Sequence, residues 1–307
     1  MDHEYEHFPS PPYDPDATCS SRVRVHPSGT YFLSQTSDEL QLRYAQGGRP
    51  RANLELEGIQ SLAFSPDGRL LAVGTQDKNV LVYQVDTMEE VFDTDACDDY
   101  VDQVVWLGGS EYLAAGSARS ELVIHQLSGK SGLFSGGSKV VRTILGPDPE
   151  YNSLFGMVAT PNGGHIFFAT GERLRCFETM SGREVWSREF ESSTGELALS
   201  PDGRLLAMGS GDGQLLFLDS AGGQPLYGYR FRFAGGVKYP GMIGDATSWG
   251  VRPRFSLDGA VVVSNTPNGA FVIIDATNGA PRWEAPRRRV RPVPDAPAQL
   301  PGGEAGL

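Results

Sequence analysis

Short apolar runs separated by polar turns set the pattern of this chain. Residues 59–64 (IQSLAF) are mostly apolar, and Ser65-Pro66-Asp67-Gly68 follows. Proline presets one turn corner, aspartate bonds nearby backbone groups, and glycine takes the positive φ that closes the turn. Residues 70–73 are apolar again, 74–79 form a second polar turn, and 80–85 make a third run. Three short strands with two turns predict an antiparallel meander. Leu70, Leu71, Ala72 and Val73 leave no face for water, so the meander packs between neighbours on both sides. A unit that cannot bury itself alone needs stacked copies.

The copies are in the chain. FSPDGRLLAVGTQDKNVLVY, from Phe64, recurs without a gap as LSPDGRLLAMGSGDGQLLFL, from Leu199. The turn itself appears as HPSG ending at Gly29, SPDG at Gly68, a shortened LGG at Gly109, TPNG at Gly163, SPDG at Gly203 and SLDG at Gly259. A β-rich run and then a third strand follow each. Spacings between these glycines are 39, 41, 54, 40 and 56 residues. The two long intervals exceed the others by about 15 residues, too little for another unit of roughly 40. They are read as insertions, which leaves six repeats.

The stretch SPDGRLLAVGTQDKNVLVYQVDT resembles a repeat of the WD-repeat β-propeller family, and the resemblance covers residues 18–285. The family's Trp-Asp position holds Tyr83-Gln84, His125-Gln126, Phe177-Glu178, Leu218-Asp219 and Ile274-Asp275, with Arg43-Tyr44 nearby in the first repeat. The family's Gly-His pair is absent, so its buried His–Asp network is expected to be missing. ETMSGREVWSRE and DATNGAPRWEA resemble instead the repeats of quinoprotein-like propellers, which implies a fourth strand per blade. The expected fold is all-β: a propeller of four-stranded antiparallel blades, six- or seven-bladed. An open ring completed by a partner chain is a further solution, and EYEHF of the N-terminus is a candidate outer strand for the last blade.

Composition narrows the function. Net charge is −12, which disfavours a nucleic-acid binder, because neutralising phosphates requires excess Lys and Arg. Cys19, Cys97 and Cys176 form no paired metal spacing and fit a reducing compartment. The acidic, proline-rich start is unlike a secretory signal. No apolar run approaches the roughly 18 residues needed to span a bilayer. Residues 1–17 are read as a disordered acidic segment, and residues 286–307, with Arg287, Arg288, Arg289 and Arg291, as a disordered tail.

Two stretches are candidate contact surfaces. The first, DTMEEVFDTDACDDYVD, gathers Asp93, Asp95, Asp98 and Asp99 with no Lys or Arg among them. It lacks the glycine and closing glutamate of a calcium loop, so it reads as a solvated inter-blade loop, or as a contact for a basic partner rather than for a metal. The second is the aromatic insertion LYGYRFRFAGGVKYPGMIGDATSWG. Its YRFRF alternates like the outer strand of the fifth blade. The remainder, residues 235–248, is too long for an ordinary connection. Arg232, Tyr239, Met242 and Trp249 there are candidate anchors, since aromatics and arginine dominate interface hot spots. His26, His125 and His165 sit in three different blades and read as ordinary surface or edge residues. No catalytic nucleophile has a base beside it.

These observations point to a cytoplasmic, non-catalytic scaffold that binds other proteins, with no cofactor, metal or membrane span. The competing reading is a propeller enzyme, a quinone-dependent dehydrogenase or lactonase-type hydrolase. That reading requires carboxylates converging in the central channel.

Overall fold

The structure is a computed structural model and describes residues 23–35, 39–128, 137–146, 154–231, 251–265 and 271–284. Every regular element among them is a β-strand. Blade 1 holds β1 (Val23–Val25), β2 (Tyr31–Gln35), β3 (Glu39–Tyr44) and β4 (Pro50–Glu55). Blade 2 holds β5 (Ile59–Phe64), β6 (Leu70–Thr75), β7 (Asn79–Gln84) and β8 (Glu89–Asp95). Blade 3 holds β9 (Val101–Trp106), β10 (Tyr112–Ser117), β11 (Leu122–Ser128) and β12 (Gly137–Leu145). Blade 4 holds β13 (Leu154–Ala159), β14 (His165–Thr170), β15 (Arg173–Glu178) and β16 (Glu184–Glu189). Blade 5 holds β17 (Thr194–Leu199), β18 (Leu205–Ser210), β19 (Gln214–Asp219) and β20 (Pro225–Arg230). Blade 6 holds β21 (Arg252–Phe255), β22 (Val261–Asn265), β23 (Phe271–Asp275) and β24 (Pro281–Glu284). Each sheet is four strands in chain order, all antiparallel, and the six form a ring. The fold is a six-bladed β-propeller, which decides between the six- and seven-bladed expectations.

The repeated turn is one hydrogen-bonded device. In all six blades the turn's first residue donates its N–H to the carbonyl five residues on: His26 to Tyr31 (3.0 Å), Ser65 to Leu70 (2.8 Å), Leu107 to Tyr112 (3.0 Å), Thr160 to His165 (2.9 Å), Ser200 to Leu205 (2.8 Å) and Ser256 to Val261 (2.9 Å). In blades 2, 5 and 6 the serine hydroxyl donates to the aspartate two residues later at 2.6 Å. That aspartate accepts the N–H of residue 69, 204 or 260 at 3.0–3.1 Å. Thr160 and Asn162 do the same in blade 4. The third turn is not shortened, as its LGG spelling led us to expect. Leu107 to Tyr112 has the same length as Ser65 to Leu70, and the left-handed residue is Gly108 (φ +69°) instead of the residue at Gly68's place, Ser110.

Packing runs between blades. Buried apolar side chains form five clusters, joining blades 1–2 (Leu33, Leu42, Leu71), 2–3 (Val82, Val104, Leu113), 3–4 (Ile124, Met157, Phe168), 4–5 (Phe167, Leu174, Leu206) and 5–6 (Phe217, Val262, Ile274). This explains the two-faced apolar strands: each sheet buries both faces by stacking. Among the described residues no such cluster joins blade 6 to blade 1. The blade 6 face turned away from blade 5 leaves Phe271 54% and Trp283 50% exposed, and blade 1 exposes Val23 and Val25.

Candidate functional site

The chain offers two places where function can sit, the loop face and the central channel. Strands alternate in direction, so connections between blades share one face with the loops between second and third strands. Asp95, Asp98 and Asp99 lie on that face, with Asp77, Lys78, Arg119, Glu172 and Asp212. Phe231 and Val251, which bracket the aromatic insertion, lie there too. Arg232, Tyr239, Met242 and Trp249 fall outside the described residues, as do residues 1–17 with EYEHF and the tail 286–307. The outer-strand reading of YRFRF holds for its first half: Tyr229 and Arg230 end β20, and Phe231 is buried against blade 6.

The acidic stretch is not one loop. Glu89 to Asp95 is β8, the outer strand of blade 2, and only residues 96–100 connect it to β9. Val91 is buried at a register shift opposite Val82 and Tyr83 of β7, while Glu89, Asp93 and Asp95 face water. Asp86 and Glu89 therefore stand at the opposite face from Asp95 and Asp98. Asp93 accepts from the Asn79 amide at 2.8 Å. Asp99 pairs with Arg119 at 2.8 Å and accepts the Tyr100 N–H. Asp93, Asp95 and Asp98 remain exposed, next to Tyr100, which is 48% exposed. Among the described residues, no three His, Cys, Asp or Glu side chains converge to hold a metal. Behind the patch, Glu121 is buried and accepts the Asp98 N–H at 2.8 Å. Burial, then the Glu121, Asp98 and Asp102 carboxylates, push the Cys97 thiol far up, so it stays protonated.

Among the other charges on this face, Arg173 pairs with Glu189, and Asp212 with Arg230 at 2.9 Å. Such exposed pairs contribute about 0–1 kcal/mol each, so they shape the surface more than they stabilise it.

The histidines correct one expectation. His26 does lie at a turn, bonding the Gly68 carbonyl of blade 2 at 2.8 Å through Nε2. His125 is no edge residue. It sits mid-strand in β11, fully buried, and neither ring nitrogen has a well-formed hydrogen bond. Burial pushes its pKa down, and the Ala96 backbone beside it opposes this weakly. At the family's Trp-Asp position, Asp219 accepts the Gly222 N–H of its own turn at 2.8 Å. Asp275 is held down to about 2 by the Thr277 hydroxyl, then by Arg282. Both aspartates serve local turns.

The channel has a volume of about 430 Å³ and is lined from all six innermost strands, β1, β5, β9, β13, β17 and β21. Two residues before the turn, Arg24, Ala63, Val105, Val158, Ala198 and Arg254 line it. Four residues before the turn come Ser61, Gln103, Gly156 and Glu196. The intervening Leu62, Val104, Met157 and Leu197 are buried between blades. The channel is therefore lopsided. Blades 2 to 4 present Ala63, Val105 and Val158 with the uncharged polar Ser61 and Gln103, and blades 5, 6 and 1 carry the charges. Glu196 is clamped by Arg254 at 2.9 Å and by Arg252 at 3.3 Å. Arg24 donates from Nε to the Leu62 carbonyl at 3.2 Å. Sequence reasoning missed this group because its members do not repeat from blade to blade. Aligning the two positions before each turn would have found it. The enzyme reading requires converging carboxylates, and the described channel residues supply one, already held by two arginines. They do not fit a quinone or lactonase centre of that kind.

Among the described residues no helix is long and apolar enough to cross a membrane. The family model described as outer membrane protein assembly factor BamB matches residues 136–292, half of the chain. The model for the anaphase-promoting complex subunit 4 WD40 domain matches residues 48–109. These fall on the two flavours of repeat read from the sequence. No curated protein matches the chain. Among solved structures, the β-propeller domain of Cps50 (Swd1) from Myceliophteria thermophila is similar, with 16% identity and a TM-score of 0.66 over 85% of this chain and 84% of that one. At that identity the likeness speaks for the fold.

Proposed function

The chain belongs to the family described as outer membrane protein assembly factor BamB, and from that premise we propose that it is a non-catalytic scaffold that binds other proteins through its loop face. A propeller hosts both scaffolds and enzymes, so the reading rests on the site. The observation that carries it is the exposed acidic patch of Asp93, Asp95 and Asp98 beside Tyr100. It sits on a face whose charges differ from blade to blade. Such a surface suits one heterogeneous partner better than a symmetric small-molecule centre. A basic segment is the chemistry that matches the patch, through steering and a complementary field. A family named for an assembly factor accords with binding rather than catalysis.

The aromatic insertion of residues 232–250 is the second contact surface in this reading, with Arg232, Tyr239, Met242 and Trp249 as its anchors. The compartment that fits is the cytoplasm, where the thiols of Cys97 and Cys176, both free, stay reduced.

The test is affinity capture from native extract with three proteins: the intact chain, Asp93→Asn/Asp95→Asn/Asp98→Asn, and a chain lacking residues 235–248. A stoichiometric partner retained by the intact chain and lost from either variant supports the scaffold. The acidic variant should also lose the salt sensitivity of binding. Equal capture by all three proteins, or none by any, removes the loop face from consideration.

A further inference from the structure

We propose that the junction between blades 6 and 1 is a docking groove for the chain's own N-terminal segment, with the proline-rich stretch FPSPPYDP (residues 8–15) seated on Phe271 and Trp283. The two faces of the junction come first. In blade 6, Val263 pairs across the sheet with Ile273, and Ile273 with Trp283, so the three share one face. Phe271 lies on that face too, two residues along β23. Val262, Val272 and Ile274, on the other face, pack against blade 5, so this row is turned toward blade 1. Val263, Phe271 and Trp283 are exposed. In blade 1, Val23 and Val25 pair with Ser34 and Phe32, on the face opposite Leu33. Leu33 packs against blade 2, so both valines turn toward blade 6, and both are exposed. The other five junctions bury their apolar rows in clusters. Here apolar side chains stand open on both sides of one junction, as at a binding groove.

The occupant follows from where the preceding chain joins the fold and from its chemistry. Residues 1–22 enter at Val23, on the border of the groove. Fully extended, a segment of that length spans up to about 70 Å, several times the roughly 15 Å between the outer strands of a four-stranded sheet. Residues 8–15 carry Pro9, Pro11, Pro12 and Pro15 around Phe8 and Tyr13. Such a stretch favours the polyproline II helix, which loses little entropy on docking, and grooves lined by aromatic rings receive it. Phe271 and Trp283 supply those rings, and Phe8 and Tyr13 bring two more to pack against them. The residues after β24 start beside Trp283 but fit less well: residues 285–307 hold no aromatic side chain.

The test reads Trp283 by acrylamide quenching of tryptophan fluorescence. Each protein is compared with its Trp283→Phe counterpart, so that the other tryptophans cancel. The proteins are the full chain, a chain lacking residues 1–17, the full-length variant Phe8→Ser/Tyr13→Ser, and a chain lacking residues 286–307. A tether supplies a roughly millimolar effective concentration, so a segment of that affinity or better fills the groove at least half the time, and removing it should raise the Trp283 quenching constant about twofold. The Phe8→Ser/Tyr13→Ser variant should show the same rise, and it keeps the test open if the shortened chain fails to fold. A peptide of residues 1–17, added in trans, should restore the shielding saturably in the shortened chain, and the doubly substituted peptide should not. Loss of residues 286–307 should leave the shielding unchanged. Equal quenching in the full chain and both N-terminal variants overturns the proposal. So does shielding that disappears with residues 286–307, which assigns the groove to the tail. Shielding that falls on dilution together with the sedimentation coefficient assigns it to a second copy and overturns the proposal as well.

Discussion

The indole of Trp186 donates to the Ser220 carbonyl at 3.0 Å, tying the outer strand of blade 4 to the third-strand turn of blade 5. One blade on, Tyr227 repeats the contact, its hydroxyl donating to the Ala276 carbonyl of blade 6. In both turns a left-handed glycine, Gly223 or Gly279, lies under the ring, where an added Cβ would stand 2.7 Å from it. Trp283 holds the matching place in blade 6 and is half exposed. Trp186→Phe loses the donor and the fused second ring over Gly223, so it should cost at least about 1 kcal/mol and lower Tm by roughly 2–4 °C or more. Trp283→Phe should stay within about 0.5 kcal/mol of the parent. Calorimetric melting of the two variants checks the contrast.

His125 gives the protein an acid limb of its own. Its folded pKa is depressed, so between the folded and unfolded values the unfolded chain binds more protons. The stabilisation is complete above the unfolded value of about 6.5 and is lost as pH falls below it towards the folded value. The turn aspartates Asp67 and Asp202 are also lowered, from 3.8, and their loss comes at still lower pH. Urea midpoints measured from pH 7.5 to 4.5 should therefore decline below about pH 6.5 in the parent. In His125→Leu that decline should flatten. An unchanged slope would assign it to other groups.

The turn network predicts which substitutions are tolerated. Ser65 is fully buried; its hydroxyl accepts the Leu70 N–H at 2.9 Å and donates to Asp67. Ser65→Ala should cost about 1–2 kcal/mol, since it strands a buried donor. Asp67→Asn should be mild, because Asn162 fills the same role in blade 4. Denaturant midpoints rank the two.

Backbone contact between turns sets a second ranking. A Cβ on Gly163 would meet the Leu107 carbonyl carbon at 2.5 Å, whereas Gly29 has open space around it. Both have φ of +69°. Gly29→Ala should cost about 1–2 kcal/mol for the left-handed backbone alone. Gly163→Ala should cost more, because blades 3 and 4 must also separate. A larger midpoint shift for Gly163→Ala in urea melts is the check.

How much of this was legible follows from which interactions are local. The SPDG turns close on their own residues, so six repeats could be counted from spelling, and Trp186 and Trp283 marked a fourth strand. What escaped depends on geometry between blades. Asp93 looked like loop because acids surround it, and only pairing with β7 makes it strand. His125 looked like an edge residue because the packing of blades 2 and 3 decides its burial. Glu196, Arg254 and Arg24 come from three blades and show no shared spelling. The aromatic insertion that carried the strongest binding reading lies outside the described residues, while the acidic patch lies within them.

Among the described residues the four strands of every sheet are consecutive in the chain, and none is borrowed from another blade. That has a consequence for descent. A duplication or deletion spanning one blade leaves no neighbour with an orphaned strand, so ring size can change in a single genetic step. The shared SPDGRLLA spelling of blades 2 and 5 accords with such a module, whereas the charges at Glu196, Arg252, Arg254 and Arg24 have no counterpart at the matching places of blades 2 to 4.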